Sequence, residues 1–553
     1  MEKAVKIIAV ILVVAVILCG ATFFAAEKSS VKVKIDAASL GVEVGNKVSN
    51  INVWDMGTQF YDPKKEENND VFEFVRYIQL MQCTGGTYER DLFKNPEDTS
   101  VLDDYDFSRL VKNCRGILIL GAKPHLKLGS VPVKFTSGYE NGGFDINVFP
   151  PDDYEVYYNY IKAMAEKLVE EFGTDELLTW RFGCMTEYEN ADWFKSKDGD
   201  PQKSAESYCK LYDYTAAALC DVLGDGVYIG AHSMTVTEGL WDEEIFIKHV
   251  ATEKNYKTGK VGTPIKFLSA SFYDTKPGKF TKGKTLSETV DYLRNTAEKY
   301  GLRDLTYGID EGRILYGNAK GKEDDALFNR TCGDTWQAAY DARLYKTCID
   351  KDIEYFSSWG YLTGGALSGY PIISYFVAQN TALFDGCKKV SSKTSSLKNI
   401  VGAEADCVAL YDEESETLRV MLYNFKNDVG YDKSVDFKLS INIPQFDGEE
   451  VKIIKKTVND DCNFFDEWRD DRKKYNITDD KFNWSPDDPC IDSTVTLFDE
   501  EARSTYEAEL RYRYIQCAKL TPEKLDGVVR DSLLKLNFTV GASNVVFLEI
   551  SKR

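Results

Sequence analysis

Two short stretches place carboxylates where an apolar run gives way to a polar loop. One is Trp180-Arg181-Phe182-Gly183-Cys184-Met185-Thr186-Glu187-Tyr188-Glu189-Asn190; the other is Asp304-Leu305-Thr306-Tyr307-Gly308-Ile309-Asp310-Glu311-Gly312. The run Leu177 to Cys184 is short, mostly apolar and free of helical spacing, so it reads as a buried parallel strand with Glu187 at its C-terminal mouth. The interval from Glu187 to Glu311 holds about three βα units of ~35–40 residues, which brings both glutamates to the same mouth of a (β/α)8 barrel. Catalytic groups sit at that face because its loops converge on one cleft. Two carboxylates in one cleft suit glycoside cleavage: a protonated one donates to the leaving oxygen while an ionised one attacks or stabilises the anomeric centre. Taken singly, either glutamate is also simply a charged loop residue among 89 acids.

The elements that must position them follow a strand-then-helix order. Strands are expected at Asn50 to Trp54, ending near Gly85, at Ala122 to Leu128, Leu177 to Cys184, Val227 to Ala231, Ile265 to Tyr273, Leu305 to Ile309 and Ile353 to Trp359. Helices are expected near Phe107 to Arg115, at Asp152 to Phe172, at Ser204 to Leu223 with Ser204 as N-cap, at Leu286 to Tyr300 and at Thr335 to Ile349. This alternation is what a parallel barrel requires. From about Cys387 the rhythm changes to short alternating strands, Val408 to Tyr411, Leu418 to Tyr423, Leu534 to Val540 and Val545 to Ile550 among them, which reads as a β-sandwich. An aromatic and charged stretch from Asn463 to Tyr514 interrupts it and is expected to pack on the barrel as a loop and helix.

At 553 residues and 43% hydrophobic, the chain has room for a barrel and a further domain. The predicted organisation is 1–26 as a signal peptide or membrane anchor, 27–48 as a leading strand, 49–386 as the (β/α)8 barrel and 387–553 as the β-sandwich with its insertion. A net charge of −21 opposes nucleic-acid binding, which draws on basic residues at phosphates. The three histidines, His125, His232 and His249, lack metal-ligand spacing and leave few bases for a Ser-His-Asp triad. Neither a GxGxxG in strand-to-helix context nor a Walker loop occurs, so no cofactor is expected. Lys3 and Lys6 precede an uncharged apolar run from Ile7 to Ala26, long enough to span a bilayer, so a cleaved export signal and an uncleaved anchor both fit; extracellular or cell-surface placement follows from either. Of 13 cysteines only Cys19 lies in this leader; the rest show no CxxC pattern and are expected to be mostly free thiols.

Trp180, Phe182 and Glu187 form a Trp-x-Phe-x-x-x-x-Glu pattern that resembles the acid/base motif of family 39 glycoside hydrolases, which include β-xylosidases and α-L-iduronidases. The resemblance continues through Tyr105-Asp106-Phe107, Gly121 to Pro132, Pro150 to Tyr154, Glu171-Phe172-Gly173 and Leu211 to Thr215, and covers roughly residues 50–385 with a weaker echo to the C-terminus. It implies a (β/α)8 barrel with an accessory β domain that takes in the leading strand. It implies Glu187 as general acid/base and Glu311 as nucleophile of a retaining reaction, with the carboxyl groups about 5–5.5 Å apart. Two positions depart from the family: Thr186 stands where it has Asn, and Ser271 where it has His on strand six. Both lost groups line the family's sugar subsite, so substrate identity does not carry over. Tyr273 matches a family tyrosine expected either to contact the nucleophile's oxygen or to pack in the barrel.

Trp359, at the end of strand eight, is a flat apolar platform for a pyranose or a core residue. Asp91, Lys127, Asp310 and Arg313 lie near predicted strand ends, where surface salt bridging is expected of each, although a cation there would also suit a uronate. The resulting expectation is a glycosidase acting by two-carboxylate double displacement on a xyloside or related glycoside. The alternative is a non-catalytic, cell-surface carbohydrate-binding relative.

Overall fold

The computed structural model describes residues 29–53, 73–81, 83–235, 238–274, 284–314, 334–358, 373–397, 400–481, 497 and 499–553. The expected leader, 1–26, lies outside the described residues. The first strand, β1 (Ser30–Glu43), joins the accessory sheet, and the next eight form the barrel: β2 (Asn50–Val53), β3 (Tyr77–Leu80), β4 (Lys123–Leu128), β5 (Arg181–Cys184), β6 (Ile229–Ser233), β7 (Phe267–Asp274), β8 (Thr306–Ile314) and β9 (Phe356–Ser358). They pair in parallel in chain order and close through Ile51 of β2 beside Ser358 of β9. Helices α1 (Ser108–Ile119), α2 (Tyr154–Phe172), α3 (Pro201–Leu223), α4 (Glu244–Thr252), α5 (Leu286–Lys299) and α6 (Trp336–Asp350) occupy the crossovers from β3 onward, and α7 (Ile373–Ala382) follows β9.

Each helix buries an apolar stripe on the barrel; α2 presents Tyr157, Tyr160, Ile161, Met164 and Leu168. Its start is set by Asp153, whose side chain accepts from Glu155 N–H. Several boundaries differ from the sequence expectation: β3 ends at Leu80 rather than near Gly85, β8 continues past Ile309 to Ile314, and two further differences have visible local causes. Gly173 ends α2 at φ +83° and Thr174–Leu177 coils into a helical turn, so the fourth barrel strand begins only at Arg181. Helix α3 starts at Pro201 behind Asp200, whose side chain accepts from Lys203 N–H. Ser204 is therefore not the cap; its hydroxyl lies inside the first turn and donates to the Asp200 carbonyl at 2.7 Å.

The barrel interior is unusually polar. Branched apolar residues commonly fill such a core, whereas here buried Asn52, Gln79, His125, Lys127, His232, Ser269, Ser271, Asp310 and Ser357 come from seven of the eight strands. Strand β8 carries an irregularity at this level. Ile309 pairs with Ala270 of β7 but Glu311 pairs with Ser271, leaving Asp310 as the extra residue of a bulge.

The remaining strands are β10 (Lys388–Thr394), β11 (Ala403–Asp412), β12 (Thr417–Lys426), β13 (Val435–Asn442), β14 (Glu450–Val458), β15 (Glu523–Val528), β16 (Leu533–Val540) and β17 (Val545–Lys552). With β1 they form a nine-stranded sheet in the order β15-β14-β17-β12-β11-β10-β1-β13-β16. The sheet folds over on itself: alternating residues such as Val33, Leu422, Phe437, Ile453 and Leu548 share one core, and Asn424 of β12 donates to the Val540 carbonyl of β16 at 3.2 Å. The opposite faces of β11 and β12 offer Val408, Leu410, Met421 and Phe425 to the barrel's own core. Helix α8 (Phe465–Lys474) and the helical segment Glu500–Cys517 add Phe465, Trp468, Tyr506 and Tyr514 to that core, so the aromatic insertion packs on the barrel. Among the described residues ten cysteines are free thiols, mostly buried.

Candidate active site

Glu187 follows β5 on a tightly bent segment. Met185 and Glu187 both adopt left-handed backbone, φ 65° and 45°, a conformation that costs a non-glycine residue of order 1–3 kcal/mol and persists only where the surroundings enforce it. The enforcement is visible. Met185 N–H donates to the Leu128 carbonyl at 2.5 Å, and the close approach needs Gly129, at φ +105°, because a Cβ there would lie 2.9 Å from Met185 N. Tyr188 N–H donates to the His232 carbonyl at 3.1 Å, and its ring stacks on Tyr208 at 4.5 Å between centroids. Asn190 donates from its backbone to the Glu187 carbonyl at 2.8 Å and from its amide to Glu187 Oε2 at 2.7 Å. The carboxylate is thus oriented and only 8% exposed.

Glu311 lies within β8, one residue beyond the bulge, and is 5% exposed. Tyr273, two residues past its partner Ser271, donates its hydroxyl to Glu311 Oε1 at 2.6 Å. Since all eight strands run in parallel, Glu187 after β5 and Glu311 near the end of β8 occupy the same end of the barrel, on its fourth and seventh strands.

Beneath them is a hydrogen-bonded layer that the sequence did not expose. Asp310 is fully buried and accepts from Lys127 Nζ, from Tyr355 OH and from Ser269 Oγ, the last at 2.6 Å. Its main-chain carbonyl accepts from the side-chain amides of Asn52 at 2.7 Å and Gln79 at 3.4 Å. Burial alone would raise its carboxyl, but the Lys127 ammonium bonded to it holds it far below the usual range. Burial pulls the Lys127 ammonium down, and the Asp310 charge opposes that. His232 lies 3.9 Å from Asp310 and bonds through Nε2 to Ser271 Oγ at 2.8 Å; burial keeps its imidazole neutral.

The sequence-predicted residues divide accordingly. Tyr273 and Glu311 are in contact. Thr186 is buried beside Glu187, while Ser271 is fully enclosed with its hydroxyl engaged by His232. Trp359 and the side chain of Arg313 lie outside the described residues. Lys127 and Asp310, expected to form surface bridges, instead bond each other inside the barrel. Asp91 is also internal: it accepts from Gly86 N–H at 2.7 Å and Val133 N–H at 2.8 Å, and burial pushes its carboxyl up to about 7.

Glu189 was not anticipated either. Fully buried, it accepts through Oε1 from Ser233 Oγ at 2.7 Å, Met234 N–H at 2.7 Å and Thr235 N–H at 3.1 Å, tying the segment after β5 to the end of β6. Burial, with the nearby Glu243 charge, pushes its carboxyl up to about 8. Among the described residues no cluster of three or more His, Cys, Asp or Glu side chains could hold a metal ion.

Residues 64–363 match the family model described as glycosyl hydrolases family 39. A β-xylosidase from Geobacillus stearothermophilus is 26% identical over 210 residues, 37% of each chain. Another from Caldicellulosiruptor saccharolyticus is 28% identical over 160 residues, 29% of each. The chain thus spans about a third of the length of each of these two relatives. Among solved structures, a monomeric β-xylosidase from Caulobacter crescentus CB15 superposes with a TM-score of 0.64 at 14% identity, over 94% of this chain and 99% of that one. A bacterial orthologue of human α-L-iduronidase gives 0.62 at 13% identity, over 95% and 84%. At these identities the solved structures establish the fold: a (β/α)8 barrel with an accessory β domain.

Proposed function

The chain belongs to glycosyl hydrolase family 39, and on that footing we propose that it hydrolyses O-glycosidic bonds with retention, Glu311 acting as nucleophile and Glu187 as general acid/base. The substrate class is a xyloside or related glycoside, in keeping with the β-xylosidase relatives. The observation that carries the reading is the 2.6 Å bond from Tyr273 to Glu311 at the mouth that Glu187 also occupies. That hydrogen bond orients the attacking carboxylate. In the first step Glu311 attacks the anomeric carbon while Glu187 gives its proton to the departing oxygen. In the second, Glu187 takes a proton from water, whose oxygen displaces Glu311 from the glycosyl-enzyme. Asn190 orients the Glu187 carboxyl for both transfers. We also propose that residues 7–26 carry the protein to the cell exterior, as a cleaved signal or as an anchor.

A 2-fluoro glycosyl fluoride of the xylo series tests the assignment. Mass spectrometry should find one glycosyl adduct on the peptide containing Glu311. Glu187→Ala should still form the intermediate from aryl glycosides with acidic phenols and be rescued by azide to a retained glycosyl azide, whereas Glu311→Ala should give any azide product with inversion. Reversed stereochemistry would exchange the two roles. No adduct, together with unchanged rates in both variants, would favour the non-catalytic sugar-binding reading.

A further inference from the structure

The Lys127–Asp310 pair deserves explanation because the interior of a barrel is an expensive place for two charges. Both side chains are essentially inaccessible. Replacing a buried ion pair with well-packed apolar residues is often neutral or stabilising, so stability is a poor reason for this one. Room has been made for it. Gly183 on β5 faces the Lys127 stem, where a Cβ would sit 3.1 Å from Lys127 Cδ and 3.2 Å from His125 Nε2, and Gly308 on β8 leaves the space that the Tyr355 ring fills.

Asp310 is the bulge residue of β8. In a regular strand consecutive side chains point to opposite faces, so Asp310 inside would place Glu311 outside the barrel. The extra residue changes that. Asp310 reaches inward to Lys127 of β4, and Glu311 also faces the mouth, in register with Ser271 and bonded to Tyr273, whose alternation with Ser269 puts all three β7 side chains on the inner face. The bulge is held from most directions at once: Lys127 and Ser269 on one carboxylate oxygen of Asp310, Tyr355 on the other, and Asn52 and Gln79 on its carbonyl.

We infer that the Lys127–Asp310 pair is the positioning device for Glu311, fixing the bulge that aims this carboxylate into the mouth and setting a buried positive charge beneath it. The inference rests on the assignment of Glu311 as nucleophile. Lys127 and Asp310 are positioning residues: they act through Glu311. The other titratable groups facing the pair are His125 of β4, Arg181 and Cys184 of β5, His232 of β6 and Tyr355 before β9, with Tyr273 of β7 on Glu311 itself. Lys127 bonds the residue immediately before Glu311, which places the two side chains within electrostatic reach.

The test uses the full chain and the acidic limb of the kcat/KM pH profile on an aryl xyloside with an acidic phenol, so that nucleophile ionisation is read rather than proton donation. Lys127→Met removes a positive charge near Glu311 and should move the limb up by about one pH unit, with kcat reduced at least ~10-fold and KM little changed. Asp310→Asn removes a negative charge while leaving the ammonium, and should move the limb down. Opposite displacements cannot come from a pair that only fills space. If a single variant fails to fold because it strands one buried charge, the double variant Lys127→Met/Asp310→Asn, which removes both, should fold and still lose at least ~10-fold in kcat. Wild-type kcat and an unmoved limb in the folded variants would overturn the inference, as would parallel displacement in both singles. Fluoroglycoside labelling of the wild type keeps the two hypotheses separate, since an adduct on a residue other than Glu311 overturns the nucleophile assignment and this inference with it, whereas an adduct on Glu311 with an unmoved limb overturns only the inference.

Discussion

Replacing Glu189 with Gln should stabilise the protein at alkaline pH, although it removes a charge-bearing group from a buried cluster in which three donors converge on Oε1. The variant amide keeps an oxygen for Ser233 Oγ and the Met234 and Thr235 N–H groups. What it removes is the ability to ionise in a fully buried site beside Glu243. A carboxyl titrating near 4.3 when unfolded and pushed up to about 8 when folded is protonated in the native state across that interval and ionised in the unfolded one. The native state then binds more protons, so stability falls as pH rises from about 4.3 to about 8, by at most ~1.4 kcal/mol per pH unit, and levels off above. The full span is about 5 kcal/mol; sharing of the burden with Glu243 and local relaxation reduce it, and a gain of about 2–3 kcal/mol for the variant over wild type at pH 8.5 is expected. Urea unfolding at pH 5, 7 and 8.5 measures it as the difference between the two proteins, which cancels the other titrating groups. A Glu189→Gln variant that is less stable than wild type by the same amount at all three pH values would refute the reasoning, because it would mean the native carboxylate is ionised and needed as such.

Further outcomes follow from the same geometry. Tyr273→Phe deletes the 2.6 Å donor on Glu311; a bond to a charged group is worth ~1.5–3 kcal/mol, so kcat/KM should fall about 10- to 150-fold with the acidic limb raised, and a change under threefold would count against the contact. Thr186→Asn should alter the order of preference across a panel of aryl glycosides if the residue before Glu187 reads the 2-position; an identical order of kcat/KM values would show that it does not. Hydrolysis should survive prolonged EDTA treatment, and activity lost to chelator and restored by a single ion would contradict a mechanism carried by carboxylates alone.

The strand order, and with it the placing of both glutamates at one end of the barrel, was legible in the sequence because a parallel barrel writes itself as repeated apolar runs, each followed by a helical stripe. The local errors have local causes. Leu177 to Trp180 is as apolar as a strand, yet a glycine at φ +83° redirects the chain into a helical turn. Asp200, not Ser204, caps α3, because Asp followed by Pro at the first helical position is a strong start signal upstream of Ser204. Lys127 and Asp310 were taken for surface residues because charged side chains are seldom buried without a partner, and the partner lies on another strand in a distant part of the sequence. A signal was nevertheless present: His125 and Lys127, Ser269 and Ser271, and Gly308 and Asp310 recur at a spacing of two within strands, placing polar or small groups on the inner face. Glu189 offered no such pattern, since its three donors come from the last residue of β6 and the two that follow it, which reach Glu189 only because β6 pairs beside β5.

The two carboxylates are held in physically different ways, and the proposed roles account for the difference. Glu311 sits inside a hydrogen-bonded strand and is aimed by a bulge whose residue is pinned from several strands at once, so its position is determined by the barrel as a whole. A nucleophile gains from that rigidity, because attack on the anomeric carbon tolerates little displacement. Glu187 instead stands on a loop with left-handed backbone at Met185 and at its own position, and it is fixed locally, by Gly129 against Met185, Tyr188 stacked on Tyr208, and Asn190 on the carboxylate itself. An acid that later becomes a base must serve two oxygens in succession, the leaving group's and then water's. A loop carboxylate clamped on either side, with one amide donor following its oxygen, can meet both while the backbone stays in place. The strain of order 1–3 kcal/mol at each left-handed residue is offset by the buried aromatic stack and the Glu189 tie to β6. Loosening that tie should therefore affect the proton-transfer side of the reaction before it affects the attacking side.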